Sequence, residues 1–226
     1  MRIVVVGNGA GSLNKRNGQL IDSSDLVIRI NDYRTSGFET ALGLRTDVHM
    51  LNSWAKVPGL PAEQAAAANA IWLAFPDPTE WQERTHGRSA YARDYLRCWH
   101  NDLMEEERDT AAHQAALRLH LAGRDVRYFG TNEMLRLVDA LGLEQTRILI
   151  GQDGKLVQPT TGLKAIWLAR DLHPSADIKI TGFDGFQSSS YYWDQTLPDQ
   201  YDNHAYMHEV RWVERLCREG GLERLD

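Results

Sequence analysis

The sequence has few of the features that indicate a membrane-spanning, disulfide-stabilised or nucleic-acid-binding protein. It contains two cysteines, Cys98 and Cys217, which form neither a metal-ligand pattern nor a disulfide framework. It has no run of about 18 apolar residues, the length that a membrane-spanning helix requires. Acidic residues outnumber basic ones, 31 to 25, and the net charge of −6 argues against a nucleic-acid partner. The opening "MRIVVVGNG" has no signal-peptide features, so we expect a cytoplasmic protein.

The residue patterns that hold metal ions are also missing from the sequence. There is no Asp-x-Asp pair and no cluster of His and Cys at metal-ligand spacing. We therefore expect no metal and no other cofactor. The length of 226 residues predicts one domain, over 1–226, with a sizeable core.

What the sequence does contain is a series of short apolar runs that alternate with helical patterns. The helical patterns include 132–142 and 161–172. The alternation predicts an α/β fold, a single Rossmann-like domain whose mostly parallel sheet is flanked by helices. Residues 76–124 interrupt it and predict a helical insert. The predicted strands are 3–6, 26–31, 46–52, 70–75, 125–130, 147–151 and 177–183.

A glycine-rich turn, "GNGAGS" at 7–12, follows the first predicted strand. Glycines at such a place let the backbone approach a phosphate or a ribose closely. The dinucleotide fingerprint requires G-x-G-x-x-G, and here the third glycine comes one position early. Asp32, at the end of the second strand, lies where a ribose-binding acid would lie. A nicotinamide- or flavin-dependent oxidoreductase is therefore one hypothesis for this segment.

Three asparagines, Asn8, Asn31 and Asn52, stand at the ends of predicted strands. Because parallel strands end at the same edge of a sheet, we expect their side chains to meet in one crevice. An amide donates and accepts hydrogen bonds, so it can recognise a base or a ribose without adding charge. Turn formation explains any one of them, but the recurrence favours a nucleotide site.

Four segments of the chain resemble, in order, the sialyl motifs of glycosyltransferase family 29, the sialyltransferases. The segment "VVGNGAGSLNKRNGQLIDSSDLVIRINDYRTSGFETALGLRTDVH" (5–49) resembles the long motif, and "QPTTGLKAIWLARDLHPSADIKITGFDGF" (158–186) resembles the short motif. The third and last motifs are matched by "YYWD" (191–194) and by "HAYMHE" (204–209), which has the spacing His-x4-Glu.

This resemblance implies a GT-A-like variant of the Rossmann-like fold and a metal-independent, inverting glycosyltransferase. The enzyme would move a sialic acid, or a related sugar acid such as Kdo, from a CMP-sugar donor to a glycan acceptor. The insert over 76–124 would face the acceptor. The residues expected to bind the CMP-sugar are Gly7, Asn8, Gly9, Asn31, Asn52, Thr160, Thr161 and Gly162.

The last two motifs supply the expected catalytic residues. His204 is the candidate general base, because a neutral imidazole can take a proton from the acceptor hydroxyl near pH 7. His208, one turn later, is its rival. Tyr191 and Tyr192 are expected to donate hydrogen bonds to the phosphate of the departing CMP. Supporting roles are expected for Glu209 and Asp194.

The chain departs from the animal members of the family in several ways. It shows neither their N-terminal membrane anchor nor the disulfide that joins their two large motifs, so it resembles a bacterial relative that builds surface polysaccharide. Tyr191 replaces the His that often opens the third motif, which is similar to family 42 sialyltransferases. A nucleotide-binding module without catalysis is the alternative to both enzyme hypotheses. The amphipathic stretch 210–225 is expected to dock on the sheet, with membrane contact as the alternative.

Overall fold

The computed structural model describes residues 1–52, 68–77, 121–143, 158–184 and 206–225. The strands within these ranges are β1 (Arg2–Val6), β2 (Leu26–Ile30), β3 (Val48–Leu51), β4 (Ala70–Leu73), β5 (Asp125–Tyr128), β6 (Asp177–Thr181) and β7 (Glu223–Arg224). They form one sheet in the order β5-β4-β3-β2-β1-β6-β7, and every described pair is parallel.

Helices flank this sheet. The described α-helices are α1 (Gly18–Asp22), α2 (Glu39–Leu42), α3 (Thr131–Ala140), α4 (Thr161–Leu172) and α5 (Tyr206–Arg218), and a 3-10 helix covers Ala10–Asn14. None of the helices in the described ranges is long and apolar enough to cross a lipid bilayer.

Both faces of the sheet are covered, which explains the continuous apolar run of β1. Ile3 and Val5 belong to the larger core, together with residues of α3, α4 and α5. Val4 and Val6 point to the other face and pack in a smaller cluster with Leu42 of α2. The four apolar side chains of β1, which alternate between the two faces, are therefore all buried.

The predicted α/β architecture is confirmed. Strands β1 to β6 begin and end within two residues of their predicted positions, and α4 covers the predicted 161–172. The stretch 210–225 docks as expected, because Trp212, Val213 and Leu216 of α5 lie in the larger core. The two-residue strand β7, at the edge of the sheet, is too short for any periodicity to predict. The predicted strand 147–151 and most of the insert over 76–124 lie outside the described residues.

The strand order places a topological switch point at β1. From β1 the chain proceeds through β2 to β5 on one side, whereas β6 and β7 lie on the other. Ligands of open α/β sheets bind beyond the carboxyl ends of the strands at such a point. Here this position is lined by the turn after β1 and the turn after β6.

Candidate functional site

Two glycine turns meet at the switch point. A Cβ placed on Gly7 would lie 2.5 Å from the carbonyl oxygen of Gly182, and one placed on Gly182 would lie 2.6 Å from that of Gly7. Gly182 also has a φ of +73°, which side chains rarely adopt. The backbones of the two turns are thus in direct contact, and the Gly7 and Gly9 amides donate to the Thr181 and Gly182 carbonyls. This contact accounts for the glycines without a dinucleotide.

The ring of Phe183 joins the turn after β1 to the start of α4. Its Cε2 atom would lie 3.1 Å from a Cβ on Gly7, and its Cε1 atom 2.6 Å from a Cβ on Gly162. Two glycines that are far apart in the sequence are therefore needed for the same aromatic ring. In this way the segments 5–49 and 158–186 come together beyond the carboxyl ends of the strands.

Arg29, near the end of β2, is fully buried and organises the segment that leads into β3. Its Nη2 donates to the carbonyls of Leu42 (2.7 Å) and Gly43 (3.2 Å). Its Nε donates to the Arg45 carbonyl and to the Thr46 hydroxyl (3.1 Å each). The guanidinium fork thus satisfies polar groups that would otherwise be buried without partners. Arg29 is structural, and it fixes the end of β2.

The three asparagines lie just beyond the ends of β1, β2 and β3 and link these strand ends. Asn31 has a φ of 50°, and its backbone N–H donates to the Met50 carbonyl (2.7 Å). Its side-chain Oδ1 accepts from the backbone N–H of Asn52 (3.0 Å). The Nδ2 of Asn8 donates to the carbonyls of Ile30 (3.2 Å) and Asp32 (3.1 Å). The ends of β1, β2 and β3 are therefore tied together by these side chains.

Two of these side chains keep an unused acceptor. The Oδ1 atoms of Asn8 and Asn52 are buried and have no hydrogen-bond partner among the described residues. A buried acceptor without a partner costs free energy, so such atoms commonly await a donor from water or a ligand. Both atoms belong to the edge of the sheet where the switch point predicts a ligand. The carboxylate of Asp32, by contrast, pairs with Arg34.

Thr160 begins α4 and is held by Glu209 of α5. The Thr160 hydroxyl accepts from the Leu163 amide (3.2 Å) as the helix cap and donates to Glu209 Oε2 (2.6 Å). The Thr160 amide donates to Glu209 Oε1 (2.8 Å). Both carboxylate oxygens thus bind one residue, and this contact joins the short motif to the last motif. Thr161 and Gly162, which follow in the first turn of α4, are buried.

Lys164, which the motif comparison does not single out, is buried in the same turn and is 3% exposed. Its Nζ donates to the Ala74 carbonyl (2.9 Å) and contacts Gln158 Oε1 (3.4 Å). Burial lowers the pKa of Lys164 to about 7, and the charge of Glu209 opposes this shift. The available signal in the sequence is a lone lysine inside the apolar run "GLKAIWLA".

The pKa of Glu209 is shifted in the opposite direction. Burial raises its pKa to about 7, while the hydrogen bonds from Thr160 and the charge of Lys164 lower it. The two buried groups therefore stabilise each other's charged forms against desolvation.

The predicted catalytic residues His204, Tyr191 and Tyr192, and the predicted supporting residue Asp194, lie outside the described residues. The rival His208 is exposed, and its Nδ1 is 3.4 Å from the Leu141 carbonyl at the end of α3. In the described ranges, no three His, Cys, Asp or Glu side chains are grouped so that they could hold a metal ion.

Comparison with known proteins assigns the chain to a family. The model of glycosyltransferase family 29 (sialyltransferase) matches residues 1–221. Two curated plant proteins are each 43% identical over 49 residues, which is 22% of this chain and 12% of the relative. They are beta-1,6-galactosyltransferase GALT29A of Arabidopsis thaliana and sialyltransferase-like protein 2 of Oryza sativa subsp. indica.

Solved structures give the same result for the fold. One is a crystal structure of a mammalian sialyltransferase, whose alignment covers 99% of this chain and 68% of the sialyltransferase chain, with 20% identity and a TM-score of 0.58. A mammalian sialyltransferase in complex with Gal-beta-1-3GalNAc-ortho-nitrophenol has 19% identity, the same coverage and a TM-score of 0.57. The fold is the GT-A-like variant that the motifs implied. Because the family model matches nearly the whole length, the chain belongs to glycosyltransferase family 29.

Proposed function

We propose that this protein is a glycosyltransferase that moves a sugar acid, sialic acid or Kdo, from a CMP-sugar to a glycan acceptor. The observation that carries the proposal is the family match over residues 1–221. The meeting of the long, short and last motifs at one edge of the sheet supports it. No specific observation favours an oxidoreductase, because Gly7 and Gly9 of the opening turn are explained by their contact with the turn after β6.

The chemistry of the described residues suits such a donor. Buried amide oxygens of Asn8 and Asn52 can accept from ribose hydroxyls or from the amino group of cytosine. Gly7, Gly9 and Asn31 complete that side of the proposed site. On the other side, Thr160, Thr161 and Gly162 form the positive end of the 12-residue helix α4, which favours an anionic group such as the donor's carboxylate.

The proposed reaction is a direct displacement with inversion. His204 takes the proton of the acceptor hydroxyl, and the oxygen attacks the anomeric carbon. The bond from that carbon to the CMP phosphate oxygen breaks, and its electron pair leaves with CMP. Hydrogen bonds from Tyr191 and Tyr192 stabilise the growing phosphate charge. Asp194 supports Tyr191 and Tyr192, and Glu209 supports the donor site.

The proposal includes no metal ion. CMP carries a single phosphate, so the donor has no diphosphate that a divalent cation would bridge. We further propose that the insert over 76–124 contacts the acceptor and that the enzyme acts in the cytoplasm on a bacterial polysaccharide.

Turnover of defined donors tests this proposal. Purified protein is incubated with CMP-Neu5Ac or CMP-Kdo in EDTA, and release of CMP is measured. Since one plant relative is named a galactosyltransferase, UDP-galactose is included as a third donor, for which release of UDP is measured. Release that persists in EDTA is expected, and the fastest donor identifies the sugar. His204→Ala should lower acceptor-dependent transfer about 10²–10⁴-fold.

Three results would count against the proposal. Turnover of UDP-galactose alone would move the enzyme to another donor class. Binding of CMP without turnover would favour the non-catalytic nucleotide-binding module. If calorimetry shows that the protein binds NADH and does not bind CMP, the oxidoreductase hypothesis would be favoured.

A further inference from the structure

A buried histidine of β3 is hydrogen-bonded to the residue that follows β2. His49 is fully buried, and its Nε2 lies 2.7 Å from the carbonyl oxygen of Asn31. Because a carbonyl oxygen can only accept a hydrogen bond, the Nε2 atom must carry a proton and donate it. The available signal in the sequence is a single histidine within the apolar run "VHML" (48–51).

The neighbours of this imidazole fix its orientation. His49 is the register partner of Arg29 in β2, so the two side chains lie on the same face of the sheet. The buried ring of Tyr33 packs edge-on against the imidazole, with 5.1 Å between the centroids and an angle of 83° between the planes. The Arg29 guanidinium lies 5.5 Å from the centre of the Tyr33 ring. The Nε2 donor is therefore held by packing, as a group that positions another residue has to be.

Asn31 adopts a backbone conformation that needs support. Its φ of 50° lies in the left-handed region, which residues other than glycine adopt at a cost, although Asn does so more readily than most. Its N–H donates to the Met50 carbonyl, and its Oδ1 accepts from the Asn52 N–H. Its carbonyl accepts from His49. Both backbone polar groups of Asn31 are therefore bound to β3, and His49 supplies the side chain that binds the carbonyl.

The same bonds determine where Asn52 lies. Its backbone N–H is bound to the Asn31 side chain, and its own Oδ1 is buried without a partner among the described residues. A rotation of the Asn31 backbone would withdraw the acceptor from this N–H and would shift the Asn52 side chain. The hydrogen bond from His49 opposes that rotation, because it ties the Asn31 carbonyl to the middle of β3.

We propose that His49 is a positioning residue for the donor site: its hydrogen bond to the Asn31 carbonyl keeps Asn31 in the left-handed conformation and thereby orients Asn52 toward the nucleotide. The inference rests on the proposed function for its effect on CMP binding, whereas the support of Asn31 does not depend on that function. His49 acts through Asn31 and does not touch the reacting atoms.

Amide hydrogen exchange tests the support of Asn31 without any ligand. His49→Met and His49→Gln introduce side chains of similar shape, but only Gln keeps an N–H donor. In His49→Met, the Asn31 and Asn52 amides should exchange faster, by about 10-fold more than the amide of Phe129, which donates to the Leu73 carbonyl beside the end of β5. His49→Gln should keep both amides near their wild-type rates. Equal acceleration of all three amides, or no rescue by Gln, would overturn the proposal.

Calorimetry with CMP tests the effect on the donor site. His49→Met should raise the Kd for CMP about 10-fold, and His49→Gln should restore most of the affinity. In an Asn31→Gly background, the residue through which His49 acts is already changed, so His49→Met should weaken binding no further. Additive losses of affinity, or an unchanged Kd in His49→Met, would overturn the positioning role. If the wild type does not bind CMP at all, the proposed function has failed, and hydrogen exchange alone decides the support of Asn31.

Val48→Ala serves as the matched control for lost stability. Val48 precedes His49 in β3 and is buried in the larger core, so its truncation should lower Tm and leave the Kd for CMP unchanged. Binding as weak as that of His49→Met would assign the effect to general instability and would overturn the proposal.

A second variant covers the case in which His49→Met does not fold. It combines His49→Met with Asn31→Gly, because glycine adopts a positive φ without support. Folding of this double variant supports the proposal, and its failure to fold overturns it.

Discussion

The three asparagines at the strand ends differ in how much of each amide the fold itself uses. The Oδ1 of Asn31 accepts a hydrogen bond from the Asn52 backbone N–H, and Asn31 adopts a positive φ, so its presence has a structural reason. Asn8 uses its Nδ2 on two carbonyls, and Asn52 has a buried Oδ1 with no partner in the described parts of the chain. Asn8 and Asn52 are therefore the better candidates for ligand contact.

Asn52→Ala tests this distinction at a single side chain. If CMP donates a hydrogen bond to the Asn52 Oδ1, its loss should raise the Kd for CMP about 10-fold. The matched control is Asn17→Ala, since the Nδ2 of Asn17 already donates to the Leu225 carbonyl (2.8 Å). Calorimetry on both variants decides the matter. Equal CMP affinity in Asn52→Ala and wild type would show that this oxygen does not bind the nucleotide.

At the scale of elements, the contact between the turn after β6 and α4 depends on Gly162. Gly162→Ala would place a methyl group 2.6 Å from the Phe183 ring, and the ring and the helix would have to separate. We expect the free energy of unfolding to fall by about 1–3 kcal/mol, as overpacking usually costs. Denaturant unfolding measures it. Phe183→Leu in the same chain should relieve the clash, and a Gly162→Ala variant as stable as wild type would contradict the packing.

The junction of α4 and α5 should also make stability depend on pH. The pKa of Glu209 in the folded protein, about 7, is above its ordinary 4.5, so its stabilising contribution is full below pH 4.5 and is lost as the pH rises through 7. The pKa of Lys164, about 7, is below its ordinary 10.5, so its contribution is full above pH 10.5 and is lost as the pH falls through 7. Together they should give a minimum of stability near pH 7.

Thermal unfolding from pH 5 to pH 9 measures this minimum. The variant with both Lys164→Met and Glu209→Gln should lack it, because neither group then titrates. The same minimum in wild type and in that variant would assign it to other residues.

How far the sequence predicts these features depends on the range of the contacts involved. The strands, the long helices and the position of the three asparagines at neighbouring strand ends follow from local patterns and from the rule that parallel strands end at the same side of a sheet. The contacts of Phe183 with Gly7 and of Glu209 with Thr160 join residues that are distant in the chain, so no local pattern contains them. Lys164 was missed because a lysine in a helix is ordinarily exposed.

At the scale of the whole molecule, the proposed donor should stabilise the fold, since its site joins β1, β2, β3 and α4. A ligand at 100 times its Kd adds about 2.7 kcal/mol to the free energy of unfolding. For a chain of this size, that corresponds to a rise in Tm of about 5–10 °C. Thermal unfolding with CMP measures it, with UMP as the control that lacks the amino group of cytosine and NADH as the control for a dinucleotide site. A larger shift with NADH than with CMP would contradict the proposed donor. Equal shifts with CMP and UMP would mean that the site holds the ribose phosphate and does not read the base.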